Sequence, residues 1–82
     1  VSLRGNMTSE RHMVPAEIAA TVERAMANLP EDDLGDIVLR EIDGLSYEEI
    51  AAVMECPIGT VRSRIFRARE AIDHELRPLM EG

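Results

Sequence analysis

The stretch SYEEIAAVMECPIGTVRSRIFRARE, Ser46 to Glu70, decides the fold. Ser46 with Glu49 three residues later is a capping box: the Ser hydroxyl accepts from the third helical amide and the Glu carboxylate accepts from the Ser amide. Ile50, Val53 and Met54 then give a short helix its apolar residues. Glu55-Cys56-Pro57-Ile58-Gly59 breaks it, because proline has no N–H to donate and disfavours helical backbone at the residue before it. A longer helix is expected from about Ile58 to Leu76, with Pro78 ending it. A short helix, a turn of about four residues and a longer helix make a helix-turn-helix.

The second helix of that pair carries the chemistry. At about 100° per residue, Val61, Ile65, Ala68, Ile72 and Leu76 fall in one narrow stripe, which must face a core. Gly59, Arg62, Ser63, Phe66, Arg67 and Glu70 lie opposite, and Arg64 and Arg69 flank the stripe. A face of Arg, Ser, a bare ring and Arg suits a DNA major groove: Arg donates two parallel bonds to guanine O6 and N7, Ser reaches a base or a phosphate, and Phe touches a thymine methyl. The amides near Gly59 and Thr60 can hold a phosphate at the helix N-terminus, and Arg64 and Arg69 are expected to reach the backbone on either side. The plainer reading is a solvated face with salt bridges to Glu70 and Asp73. The capped helix and the Pro-Ile-Gly turn in front favour DNA, although a protein partner would equally explain an exposed Phe66.

Upstream the pattern is also helical. Ile18, Val22, Ala25, Met26 and Leu29 recur at three- and four-residue spacing after Pro15, which suits a first helical turn. Pro30 ends that helix near Asn28, and Glu31-Asp32-Asp33 provide the negative start of the next. Leu34, Ile37, Val38 and Ile42 form its apolar stripe. Gly35 costs about 1 kcal/mol relative to Ala, so the first turn is expected to fray, and Gly44 stops the helix. Residues 1–13 lack periodicity and read as a flexible arm or linker, leaving 14–82 as the domain. The fold expected is all-α: four helices with a C-terminal helix-turn-helix, no sheet and no wing.

Composition narrows the function. Eighty-two residues make one small domain, and 45% hydrophobic with 30% charged residues suits a modest core. No apolar run approaches the ~20 residues that span a bilayer, so no membrane partner is expected. Cys56 is the only cysteine, which points to a reducing, cytoplasmic setting without disulfides. The net charge is −7 and there is no lysine, which excludes a uniformly basic nucleic-acid binder. The charge is uneven, however: residues 1–56 hold four Arg against twelve acids, whereas residues 57–77 hold five Arg against three. Tyr47 and Phe66 are the only aromatic residues, too few for the stacking platforms of single-strand and RNA binders. No catalytic, metal or cofactor constellation emerges. Glu48 and Glu49 are ordinary first-turn acids, His12 sits in the arm, His74 lies on a polar face, and Cys56 reads as a turn or core residue.

The segment LREIDGLSYEEIAAVMECPIGTVRSRIFRAREAIDHELRPL, Leu39 to Leu79, resembles region 4 of the extracytoplasmic-function sigma factors, most of all the sigma-E type, and LPED at Leu29 to Asp32 fits too. The likeness covers roughly residues 15–80. It implies a bacterial domain that reads the minus-35 promoter element within RNA polymerase holoenzyme, with the double-stranded promoter, the polymerase β flap and an anti-sigma factor as partners, in stress-responsive transcription. Base or near-base contacts would fall on Arg62, Ser63, Phe66 and Arg67, and backbone contacts on Arg40, Gly59, Thr60, Arg64 and Arg69. The segment Asp33-Leu34-Gly35-Asp36 departs from the family pattern, so the second helix is expected to be weaker and more acidic than usual. Two readings stand beside this one: the output domain of a response regulator, which would dimerise and prefer a palindrome, and a module acting mainly through protein contacts. The sigma reading expects a monomer.

Overall fold

The computed structural model describes residues 15–81; the arm expected at 1–13 lies outside the described residues. Four helices follow one another: α1 Ala16–Ala27, α2 Glu31–Glu41, α3 Tyr47–Met54 and α4 Ile58–Glu81. α4 is the spine, with α1, α2 and α3 each packed against it and α3 also against α2. Ile37, Ile50, Val61, Ile65 and Ala68 make the buried centre. The expected stripe of α4 therefore faces inward, while Ile72 and Leu76 beyond it are half-buried.

The local signals act as their chemistry dictates. Pro15 and Pro30 stand immediately before α1 and α2. The Ser46 amide donates to Glu49 Oε1 at 2.8 Å and the Glu49 amide donates to Ser46 Oγ at 3.1 Å, closing the capping box. Gly44 has φ +75°, a left-handed conformation open to glycine without a Cβ penalty. Glu55 caps α3 at φ 55°, and the next amide, Cys56 N–H, donates back to the Ala51 carbonyl at 3.1 Å.

Four details differ from the sequence expectation. α4 does not stop at Pro78 but continues through it to Glu81. A proline one turn from a helix end forfeits a single ladder bond, and its fixed φ is compatible with helix. Gly35 does not fray α2, which is helical from Glu31, and the glycine lies under Met54, whose Cε would stand 3.3 Å from an added Cβ. Ile42 lies past the end of α2 and is 69% exposed, and Val53 on α3 is also exposed. Most consequentially, Asp33 and Asp36 are buried rather than solvated. A helix read as merely acidic thus turns two carboxylates inward, toward α4.

Candidate nucleic-acid interface

α3 and its left-handed cap set α4 so that the start of its outward side is open. Gly59 is exposed, with nothing within 4 Å of the place a Cβ would occupy, which leaves room for another molecule's backbone. The Thr60 amide already donates to the Pro57 carbonyl at 3.0 Å, so its hydroxyl is the donor it can offer to a phosphate. Arg62 and Ser63 are exposed, and Phe66 shows 65% of its surface. A large bare ring beside two polar side chains has no role in the core of this domain.

Three other α4 arginines, Arg64, Arg67 and Arg69, are engaged, and their acidic partners come from α2. Arg67 donates from Nε to Asp33 Oδ2 and from Nη2 to Asp33 Oδ1, both at 3.2 Å, with its side chain 59% exposed. Arg64 turns inward: its side chain is 17% exposed and donates to Asp32 Oδ2 at 3.3 Å and to the Cys56 sulfur at 3.6 Å, and it stands 3.7 Å from Asp36. Arg69 pairs with Glu41. Arg62 makes no ion pair among the described residues. The salt bridges anticipated with Glu70 and Asp73 are thus replaced by contacts 28 and more residues away along the chain.

Electrostatics follow from this pairing. Burial raises the Asp36 pKa above the ordinary carboxylate value; Arg64 opposes the rise, and neighbouring Asp32 and Asp33 add to it. The hydrogen bonds from Arg67 to Asp33 hold that guanidinium more firmly protonated, and Glu41 does the same for Arg69. Arg40 braces the turn between α2 and α3: Nη1 donates to the Leu45 carbonyl at 2.8 Å, and its guanidinium lies 5.1 Å from the Tyr47 ring centroid. Sequence reading had placed Asp32 and Asp33 only as a helix start and Asp36 as excess charge. The local signal available, acids spaced three and four apart at Asp32, Asp33 and Asp36, marks one helix face without saying what that face meets.

Arginine, serine and an aromatic ring thus stand exposed together on the second helix of a helix-turn-helix. Residues 19–72 match the family model described as "Sigma-70, region 4", which takes in most of α1, all of α2 and α3, and α4 as far as Ile72. The chain belongs to the sigma-70 region 4 family. This region 4 domain is 57% identical to the RNA polymerase sigma-H factor of Pseudomonas aeruginosa over 79 residues, covering 96% of the chain and 41% of that protein. It is 61% identical over 71 residues to the ECF RNA polymerase sigma-E factors of Escherichia coli K12 and Salmonella typhimurium LT2, covering 87% of the chain and 37% of those proteins. The chain therefore spans about two fifths of the length of the curated relatives it matches. Membership of the family makes it a region 4 domain of the sigma-70 type, and its described elements are all helices. Among its described residues, no helix is long and apolar enough to cross a membrane.

Proposed function

We propose that this chain reads the minus-35 promoter element as region 4 of an extracytoplasmic-function sigma factor, working in the cytoplasm within RNA polymerase holoenzyme and held in check by an anti-sigma factor during stress-responsive transcription. The observation that carries the reading is the exposed group Arg62, Ser63 and Phe66 on α4, with Arg67 at its edge. In the complex α4 enters the major groove. Arg62 and Arg67 supply base or near-base contacts, and Ser63 and Phe66 refine them. Gly59 and Thr60 meet phosphate at the helix start, Arg40 and Arg69 reach the backbone, and Arg64 bridges α2 and α4 while presenting its remaining surface to the backbone.

The charge balance sets the mode of action. A net charge of −7 opposes long-range attraction to DNA, so the lone domain binds weakly, and the rest of a holoenzyme raises its effective concentration through tethering. The polymerase flap and the anti-sigma factor are the protein partners of this reading. Exposed Ile42, with Val22, Met26 and Ile72, lines an apolar groove of the kind such partners bury.

The test is a fluorescence titration of the chain at low salt against three duplexes: a minus-35-like site, a scrambled site and a palindrome. Preference for the single asymmetric site, lost in Arg62→Ala, supports the reading. Preference for the palindrome with binding as a dimer points to a response-regulator mode. Equal binding to all three leaves protein contact as the main role.

A further inference from the structure

We propose that Asp33 is a specificity-determining residue that acts through Arg67, fixing the guanidinium side-on so that its end is presented to a base. The inference rests on the reading of Arg67 as a base contact.

A guanidinium offers two forks, a side edge made by Nε and one Nη, and an end made by the two Nη groups. Asp33 occupies the side edge, accepting from Nε and Nη2 at 3.2 Å each. The end fork has the geometry that pairs with guanine O6 and N7. Asp33 is itself 3% exposed and sits in the first turn of α2, where the helix favours a negative charge, so it is a fixed support and not a swinging surface acid. The Arg67 side chain remains 59% exposed, one turn beyond Ser63 and next to Phe66. It is therefore held and still reachable.

The other arginines show what Asp33 adds. Arg62 has no ion pair among the described residues and must be ordered when DNA arrives. Arg64 is drawn inward by Asp32 and Asp36 and is 17% exposed. Arg67 alone combines a two-bond support with an accessible end. Ordering a long side chain before binding removes part of the entropic cost of making the base contact. A carboxylate at the groove edge also repels phosphates, which penalises DNA that offers only backbone. Both effects widen the gap between the right site and any other.

The rival is simple masking, in which Asp33 neutralises Arg67 and weakens all DNA binding alike. The two are separated by selecting duplexes with a randomised central window on the wild-type chain, Asp33→Asn, Arg67→Ala and the double variant. Affinity for a scrambled duplex and the thermal midpoint are measured in parallel. The expected result is that Arg67→Ala relaxes one or two base-pair positions, and that Asp33→Asn relaxes the same positions about three- to tenfold while tightening the scrambled duplex. In the Arg67→Ala background, Asp33→Asn then changes the profile no further. Should Asn fail to fold at this buried site, Asp33→Ser, smaller and suited to a first turn, carries the same expectation. An unchanged profile with equal tightening on every duplex overturns positioning in favour of masking. Relaxation that persists in the Arg67→Ala background overturns it in favour of a general structural role. If Arg67→Ala leaves the whole profile intact, Arg67 is not at the bases, and the assignment under the proposed function falls as well.

Discussion

Replacing Asp36 with alanine should stabilise this domain, and replacing its partner Arg64 should do the reverse. Asp36 has no exposed surface, neither of its carboxylate oxygens accepts a hydrogen bond among the described residues, and its cation stands 3.7 Å away. An ion taken from water in this way costs several kcal/mol, and one pairing without hydrogen bonds returns only part of that. The pair is asymmetric. Without Asp36, Arg64 still donates to Asp32 and keeps some contact with water. Without Arg64, Asp36 is a buried charge with nothing opposite it. Asp36→Ala is therefore expected to gain about 1–2 kcal/mol, a rise in midpoint of about 5–15 °C for a domain of this size. Arg64→Ala is expected to lose about 3–5 kcal/mol, most of it recovered when Asp36→Ala is added. The pH dependence carries a definite sign. The folded pKa of Asp36 lies above its unfolded value, so the folded state holds that proton more tightly. The resulting stability is fully present below the unfolded pKa and is lost as pH rises through the folded one. The advantage of Asp36→Ala should thus be greatest at neutral pH and shrink on acidification. Urea and thermal unfolding of the three variants across that range is the assay. A loss in Asp36→Ala comparable to that in Arg64→Ala, with no pH-dependent gap from wild type, would refute the reasoning.

Three further outcomes can be measured on the same preparations. Gly35→Ala should stabilise α2 by up to about 1 kcal/mol in thermal unfolding, because the only contact within 4 Å is the flexible end of Met54. Ser46→Ala removes one half of the observed capping box and should cost about 1 kcal/mol, read by urea titration. Phe66→Ala should leave the midpoint nearly unchanged, since the ring is 65% exposed, yet weaken binding to a selected duplex in fluorescence anisotropy. In that same assay the logarithm of affinity should fall against the logarithm of salt with a slope of about −3 to −4.5, as expected for three to five phosphate contacts at about −0.9 each.

What was legible in the sequence was what local chemistry controls. Ser46 and Glu49 marked the start of α3, Pro15 and Pro30 stood before α1 and α2, and the period of Val61, Ile65 and Ala68 identified the buried side of α4. Exposure of Phe66 followed from the same period. What was not legible depended on distant partners. Asp33 and Asp36 read as excess charge because nothing near them in sequence reveals Arg67 and Arg64, which meet them only after α2 packs on α4. Gly35 looked like a weak point because propensity is local, whereas the Met54 side chain that covers it comes from α3. Ile42 looked like core because its spacing continued the stripe, but α2 ends one residue before it. Pro78 was assigned too much breaking power, since a proline this near a C-terminus disturbs only the last turn.

The departure at Asp33-Leu34-Gly35-Asp36 is also where this domain's arginines are organised. Three of the five α4 arginines are distributed over α2 acids, leaving Arg62 and Arg77 without an ion pair among the described residues. The fold thus supports the outward side of α4 through charge pairing as well as through apolar packing. Those pairings differ in strength: the exposed Arg69–Glu41 pair contributes little, whereas the partly buried contacts of Arg64 tie the helices together.

The most direct test of the central claim is a map of backbone amide NMR shifts as a selected asymmetric duplex is added to the isotope-labelled chain. If α4 is the helix that reads DNA, the largest changes fall on Gly59 to Arg67, and the α1 amides stay still. Shifts concentrated around Val22, Met26 and Ile42, with Arg62, Ser63 and Phe66 unmoved, would contradict it.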